Sequence, residues 1–319
     1  MTMEVIMPDA VQRLTRDVMR AMSSDDVREI NYIVKRFYRI QKTRIALWNQ
    51  VLALGKQNQP NSLLFWLYMQ FETLEREVKR YIERAIEVVP AARWAMSIYG
   101  IGPIIAAGLA TYIDPARACK VSSIWRFAGL DPTCTWGKGE KCPWNQEFKV
   151  LCWKIGETFV KFSGRDECYY GHLYRKRKEY EWRRNVAGEL RDQALARVEH
   201  VGKNTEAYKW YSGKYKGVDF SSGKPVPIPA EDGEEGLPML PPAHIDNRAR
   251  RWTVKLFLAH FCWVLWETTT GEPMPDPYAV AHLGHVEVIP PPNYKPLSPK
   301  YHSRKYVDMP HYMKTEPLI

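Results

Sequence analysis

Ser97-Ile-Tyr-Gly-Ile-Gly-Pro-Ile-Ile-Ala-Ala-Gly-Leu-Ala110 reads as the end of one helix, a turn built on two glycines, and a second helix opening at Pro103. Without a Cβ, Gly100 and Gly102 can adopt positive φ and bring bare backbone close to a ligand. The fixed φ of proline and its missing N–H suit the first position of a helix. The amides of that helix start then form an anion site for a phosphate. Small residues at Ala106, Ala107, Gly108 and Ala110 let the two helices approach closely. The pattern predicts a helix-hairpin-helix, a device that grips nucleic-acid backbone and carries no sequence information. A plain helix connection is the alternative. A dinucleotide fingerprint does not fit, because no strand pattern precedes the turn and the third glycine is wrongly spaced.

Upstream, Asp26 and Glu29 have the spacing of a capping box, and a helix is expected from about Val27 to Leu54. Ile33, Ile40, Leu47 and Leu54 recur every seven residues, with Ile30, Phe37 and Val51 beside them and Arg44 interrupting. In the next helix Leu64, Leu67, Phe71, Leu74, Val78, Tyr81, Ala85 and Val88 alternate at spacings of three and four, with Pro90 closing it. Two such helices joined by Gly55 to Pro60 predict an antiparallel coiled-coil hairpin over residues 25–90, behind an N-terminal segment 1–24. Two amphipathic helices lying on a globular core are the alternative.

Downstream, the fold class is expected to remain mainly α, with a helix-hairpin-helix domain over residues 91–289. Phe148, Leu151, Cys152, Ile155, Phe159 and Phe162 mark one amphipathic helix. A long basic helix is expected from about Tyr169 to Val201. Residues 203–243 have the Gly, Pro and acidic composition of a loop insertion. A helix around Ala249 to Glu267 follows, and then a Pro-rich basic tail, 290–319, expected to be disordered alone.

Lys and Arg number 46 against 36 Asp and Glu, for a net charge of +10. A surplus of that size favours a polyanionic partner, DNA or structured RNA before a membrane surface. Candidate backbone-gripping cations are Arg126, Lys138, Lys141 and Lys149, followed by the run Arg175, Lys176, Arg177 and Lys178. Tyr208, Lys209, Trp210, Tyr211, Lys214, Tyr215 and Lys216 interleave aromatics with lysines, which suits single strands. The apolar run Trp252 to Trp266 is broken by Lys255 and His260 and is shorter than the ~20 residues of a membrane span. No signal peptide is visible and the six cysteines are scattered, so a cytosolic protein with free thiols is expected. Cys134, Cys142, Cys168 and His172 lack a Cys-x-x-Cys pair, so neither a metal nor another cofactor is expected.

Tyr99-Gly-Ile-Gly-Pro103, then Ser123-Ile-Trp-Arg-Phe-Ala-Gly-Leu-Asp-Pro132, then Trp136-Gly-Lys-Gly-Glu-Lys141 and the helix Glu147 to Phe162 follow one another in a familiar order. The series resembles the C-terminal transposase domain of the bridge-RNA-guided "one-ten" insertion-sequence transposases, whose N-terminal half is a DEDD nuclease. Lys42-Thr-Arg-Ile-Ala-Leu-Trp-Asn49 is similar to a helix of that family's coiled-coil linker. Asn247-Arg-Ala-Arg-Arg-Trp-Thr-Val-Lys-Leu-Phe-Leu-Ala-His260 is similar to its closing helix. The resemblance covers roughly residues 25–165 and 245–280. It implies nucleic-acid binding in transposition or recombination, and self-association through the coiled coil. Two departures stand beside it. The first 90 residues show helices and no strand pattern, so the nuclease domain is expected to be missing. Where the family has a serine nucleophile this chain has Asp131-Pro-Thr-Cys-Thr-Trp-Gly-Lys138, leaving Thr133 and Thr135 as the only hydroxyl candidates.

These features predict a transposase-like nucleic-acid-binding protein without nuclease activity of its own. Two rivals remain at this level. One is a recombinase subunit that needs a nuclease partner in trans, and the other an architectural protein whose coiled coil is the working surface.

Overall fold

Apolar residues three and four apart bring α2 (Val27–Lys56) and α3 (Ser62–Ile86) together as an antiparallel pair, behind the short α1 (Arg16–Ala21). As α2 advances its partners retreat along α3. Gln41 and Arg44 bond Glu75, the latter at 2.5 Å, and Trp48 meets Tyr68 with ring centroids 4.8 Å apart. Arg44, the interruption in the apolar row, is thus matched by an acid across the seam. Asn61 caps α3 by accepting from the Leu64 amide at 3.0 Å. The computed structural model describes residues 13–21, 27–118, 120–231, 233–282 and 288–301, so the capping box expected at Asp26 lies outside the described residues.

The chain forms two compact units, and this helical pair belongs to the first, which runs to Ser97 and resumes over Ile101–Ala118. The pair is closed over a core at one end only. Ile30, Val34, Phe37, Ile82 and Ile86 are buried there, together with Ala106, Ala107 and Leu109 of α5 (Pro103–Tyr112). α5 packs on α2, α3 and α4 (Pro90–Met96), and its alanines and Gly108 allow the close approach. Pro90 opens α4 rather than closing α3, which stops at Ile86 and leaves Val88 exposed. α4 and α5 therefore cluster with the helical pair. The units divide at Ala118, with Ile98–Gly100 in the second, where the sequence suggested residue 90.

In the second unit α11 (Pro242–Thr270) is the spine, and α6 (Val121–Phe127), α7 (Gln146–Lys161) and α8 (Tyr169–Val186) each pack on it. Phe159 of α7 stacks on Tyr170 of α8 at 4.9 Å, and Phe257 of α11 meets both rings edge-on. The buried Tyr170 hydroxyl lies 2.7 Å from His260 Nδ1, and His260 Nε2 lies 2.7 Å from the Ile289 carbonyl. A carbonyl only accepts, so Nε2 carries the proton, Nδ1 accepts from the tyrosine, and the ring is neutral.

Three expectations are corrected in this unit. The long helix expected over Tyr169–Val201 is two helices, α8 and α9 (Arg191–Val198), because Gly188 takes φ +79° between them. Residues 203–243 are not simply loop. Thr205 caps α10 (Glu206–Tyr211), and β1 (Tyr215–Asp219) pairs antiparallel with β2 (Val226–Pro229), Val218 opposite Pro227. Trp182, Trp210, Tyr211, Tyr215 and Leu240 build a small core beneath them. Nor is the start of the Pro-rich tail free chain. Beyond α12 (Tyr278–His282), buried Glu267 accepts from Trp263 Nε1, the Met274 amide, the Tyr294 hydroxyl and the Leu297 amide at 2.8–3.1 Å. Tyr301 is buried against Trp263. Residues 302–319 lie outside the described residues. Among the described residues no helix is long and apolar enough to cross a membrane.

Replacing Glu267 by Ala leaves four donors without an acceptor and is expected to lower the unfolding free energy by about 3–5 kcal/mol in urea denaturation. A loss under about 1 kcal/mol would show that the clamp contributes little. The buried ring adds a pH effect. Burial, opposed by the Ile289 carbonyl, holds His260 down to about 4, against an ordinary value of about 6.5. The unfolded chain binds the extra proton between those values, so stability is full above about pH 6.5 and is lost as pH falls toward 4. Between about pH 7.5 and about pH 5 the wild type should lose about 2 kcal/mol more than His260→Gln. Equal losses would contradict the neutral ring.

Candidate nucleic-acid interface

The two glycines of the turn behave differently. Gly100 takes φ +89°, as a glycine can, and an added Cβ would lie 2.5 Å from Thr158 Cγ2 and 3.2 Å from the Phe162 ring. Tyr99 meets the same Phe162 ring edge-on at 5.4 Å. Gly102 instead takes φ −95° and ψ 174°, a conformation open to any residue. Pro103 imposes it, because the ring disfavours the helical region for the residue before it. Gly102 caps α5 without a side chain, and open space surrounds it. Ala106 N–H is the first amide bonded back into the helix, to the Gly102 carbonyl. Among the described residues the Gly102, Ile104 and Ile105 amides have no acceptor, the arrangement that a helix start offers to an anion.

The second feature is a knob formed by residues 129–145 against α7. Gly129 takes φ +64° and lets Trp144 and Lys149 lie within 2.9 Å of where a Cβ would stand. Trp136 Nε1 donates to the Glu140 carbonyl at 2.7 Å, and the Glu140 carboxylate accepts from the Gly137 amide at 2.9 Å. Trp136 and Trp144 meet edge-on at 6.1 Å, and Lys149 Nζ sits 4.0 Å over the Trp144 ring. Trp136 is about half exposed, and on the outward face of α7 so are Val150 and Trp153. Lys138, Lys141 and Lys149 are exposed and, among the described residues, make no ion pair. Arg126 is exposed and lies 4.0 Å from Asp131. The knob therefore carries exposed lysines that make no ion pair among the described residues, beside the exposed Trp136 face, although Asp131, Glu140 and Glu147 equal them in number.

The run on α8 is less available. Arg177 pairs with buried Glu181 at 2.5 Å and stacks over Tyr180 and Trp252, and Lys178 pairs with Asp246 at 2.9 Å. Arg183 and Arg184 are paired with Glu179 and Glu189. Arg175 is exposed and Lys176 half-exposed. Of the interleaved stretch 208–216, Trp210, Tyr211 and Tyr215 are buried in the small core, so they offer no stacking faces.

Thr133 is held by Asp131. Its amide and hydroxyl donate to Asp131 Oδ1 at 3.0 and 2.7 Å, and those bonds, with Arg126 and Lys255, keep that carboxyl below its ordinary range. Thr135 is exposed. Among the described residues no group of three or more His, Cys, Asp or Glu is placed to hold a metal ion. Cys134, Cys142, Cys152, Cys168 and Cys262 are free thiols.

Two groups of surface residues were not singled out from the sequence. Trp153 and Val150 face outward on α7, and Arg248, Arg251 and Lys255 share a face of α11. Their spacings of three and four place each group on one helix face, while which face is outward comes from the fold alone. Comparison of the chain with protein-family models, curated proteins and solved structures gives no match in any of the three.

The glycines separate in a simple test. Gly100→Ala forces a side chain into positive φ against Thr158 and should destabilise by about 2–3 kcal/mol in chemical denaturation. Gly102→Ala loses only the better cap and should cost under about 1 kcal/mol. Equal costs would contradict the turn geometry.

Proposed function

We propose that this chain binds nucleic acid in a transposition or recombination setting, through its phosphate backbone and without reading sequence. The observation that carries the proposal is the knob, where Lys138, Lys141 and Lys149 are exposed and make no ion pair among the described residues, Lys149 lies over the Trp144 ring, and Trp136 is exposed. Unpaired exposed lysines suit phosphates through counterion release, and indole faces suit unstacked bases. The free amides at the start of α5 supply a second contact of helix-hairpin-helix type. The transposition setting rests on the order of sequence elements described above. No residue of the chain is given a role in strand cleavage.

The antiparallel pair α2–α3 acts, in this proposal, as a coiled-coil hairpin through which two copies associate. Ile45, Trp48 and Leu52 are exposed and share one face of α2, which gives such an association an apolar surface.

Fluorescence anisotropy with labelled duplex and single-stranded DNA and with structured RNA, over a range of salt, tests the proposal. Wild type is expected to bind with a steep salt dependence. Lys138→Glu/Lys141→Glu/Lys149→Glu is expected to bind duplex more than about tenfold weaker and to lower the salt slope by about 3. No salt-dependent binding by wild type to any probe would overturn the proposal. An unchanged slope in the variant would remove the knob from it.

A further inference from the structure

His244, Arg248, Arg251 and Lys255 recur along α11 at spacings of four, three and four, which puts them on one stripe of the helix. α9 lies beside part of that stripe, because Arg248 Nη1 donates to Gln193 Oε1 at 2.7 Å. Arg197, one turn beyond Gln193, is close enough for its charge to act on both His244 and Arg251. The stripe is short of acid. Glu181 already takes Arg177 at 2.5 Å and Arg248 at 2.7 Å, and Asp131, near Lys255, is engaged with Thr133. Among the described residues Arg251 has neither a hydrogen-bond acceptor nor an ion-pair partner, although it is half-buried.

The buried polar atoms without a partner include none of Arg251, so its guanidinium is open to solvent. Arginine stays protonated, so it cannot relieve burial by losing its charge. Burial first, then the like charges of Arg248 and Arg197, push Arg251 below its ordinary value. His244 does not add to the charge. Burial and the three guanidiniums hold its ring down to about 4, so it is neutral at pH 7, with Nδ1 3.1 Å from the Tyr211 hydroxyl.

We infer that Arg251, with Arg197 and Arg248 beside it, forms a binding site for a phosphate group. The planar fork of a guanidinium matches two phosphate oxygens, and the anion supplies the countercharge that the chain leaves out. A free phosphate and a phosphodiester of a nucleic-acid backbone share this chemistry. In the second case the inference rests on the proposed function, and in the first it stands without it.

Thermal unfolding of wild type, Arg251→Met, Arg251→Lys and the triple lysine variant of the knob tests the site, with pyrophosphate in one arm and a short DNA oligonucleotide in the other. Without ligand, Arg251→Met should melt no lower than wild type, since it removes an unpaired half-buried charge. Pyrophosphate is expected to raise the Tm of wild type and of the knob variant and to leave Arg251→Met unchanged. Arg251→Lys, which keeps the charge and loses the fork, should need about tenfold more pyrophosphate for the same rise. An Arg251-dependent rise with pyrophosphate in a chain that binds no oligonucleotide supports the site and contradicts only the nucleic-acid proposal. An Arg251-dependent rise with the oligonucleotide alone assigns the site to backbone phosphodiester. The inference is overturned by the absence of an Arg251-dependent rise in both arms. Loss of cooperative unfolding in Arg251→Met also overturns it, because Arg251 would then be a structural residue of the fold.

Discussion

Glu181 is a carboxylate at 1% exposure, and arginines from α8 and α11 keep it charged. Burial opposes its ionisation, but Arg177 and Arg248 more than offset that and hold the carboxyl below its ordinary range. Arg177 lies one turn before it on α8 and Arg248 comes from α11, so the trio fastens α8 to the spine. Removing either arginine alone would leave a buried charge half-compensated, which is more damaging than never having had the pair. One acid takes two cations. The other basic side chains of α9 and α11 divide: Arg250 pairs with Glu157 and Asp246 and Arg191 with Glu235, while Arg251 has no ion-pair partner among the described residues.

The same accounting separates structural cations from available ones. On α8 four of the eight residues from Arg177 to Arg184 are basic, yet Arg177, Lys178, Arg183 and Arg184 each face a carboxylate. On the knob the lysines make no ion pair among the described residues. A basic run in sequence looks the same in both places. The difference lies in acids that are distant in the chain, such as Asp246 for Lys178, and in glycines that shape a loop so that its lysines project.

Much of the fold was legible because it is written in helical periods. The helices α2 and α3 and the apolar face of α7 appear in the spacing of Leu, Ile and Phe, but on α3 the buried apolar residues are Ile82 and Ile86, one position from the expected Tyr81 and Ala85. Breaks were harder to see. Gly188 ends α8 within a run whose composition favours helix throughout, and Pro90 starts a helix where a proline after an apolar run suggests a stop. The 203–243 stretch hides a helix and a strand pair because its aromatics are spaced for neither period alone, and they are buried by contact with Trp182 and Leu240. The turn at Gly100–Gly102 was half legible. Positive φ follows from glycine at Gly100, while at Gly102 the following proline decides, and the result is an ordinary extended residue. Exposure was not legible at all. Trp136 and Trp210 carry the same side chain, and only the fold puts one at the surface and the other in a core.

In the proposed function the knob and the start of α5 each meet nucleic acid. Amide hydrogen exchange with and without a saturating oligonucleotide tests it most directly, because the Gly102, Ile104 and Ile105 amides have no acceptor in the chain and exchange readily unless a ligand covers them. Slower exchange is expected on binding over residues 129–149 and at those amides, with the buried faces of α8 and α11 unchanged. Exchange that stays the same at both places, or that slows only along α2 and α3, would contradict it.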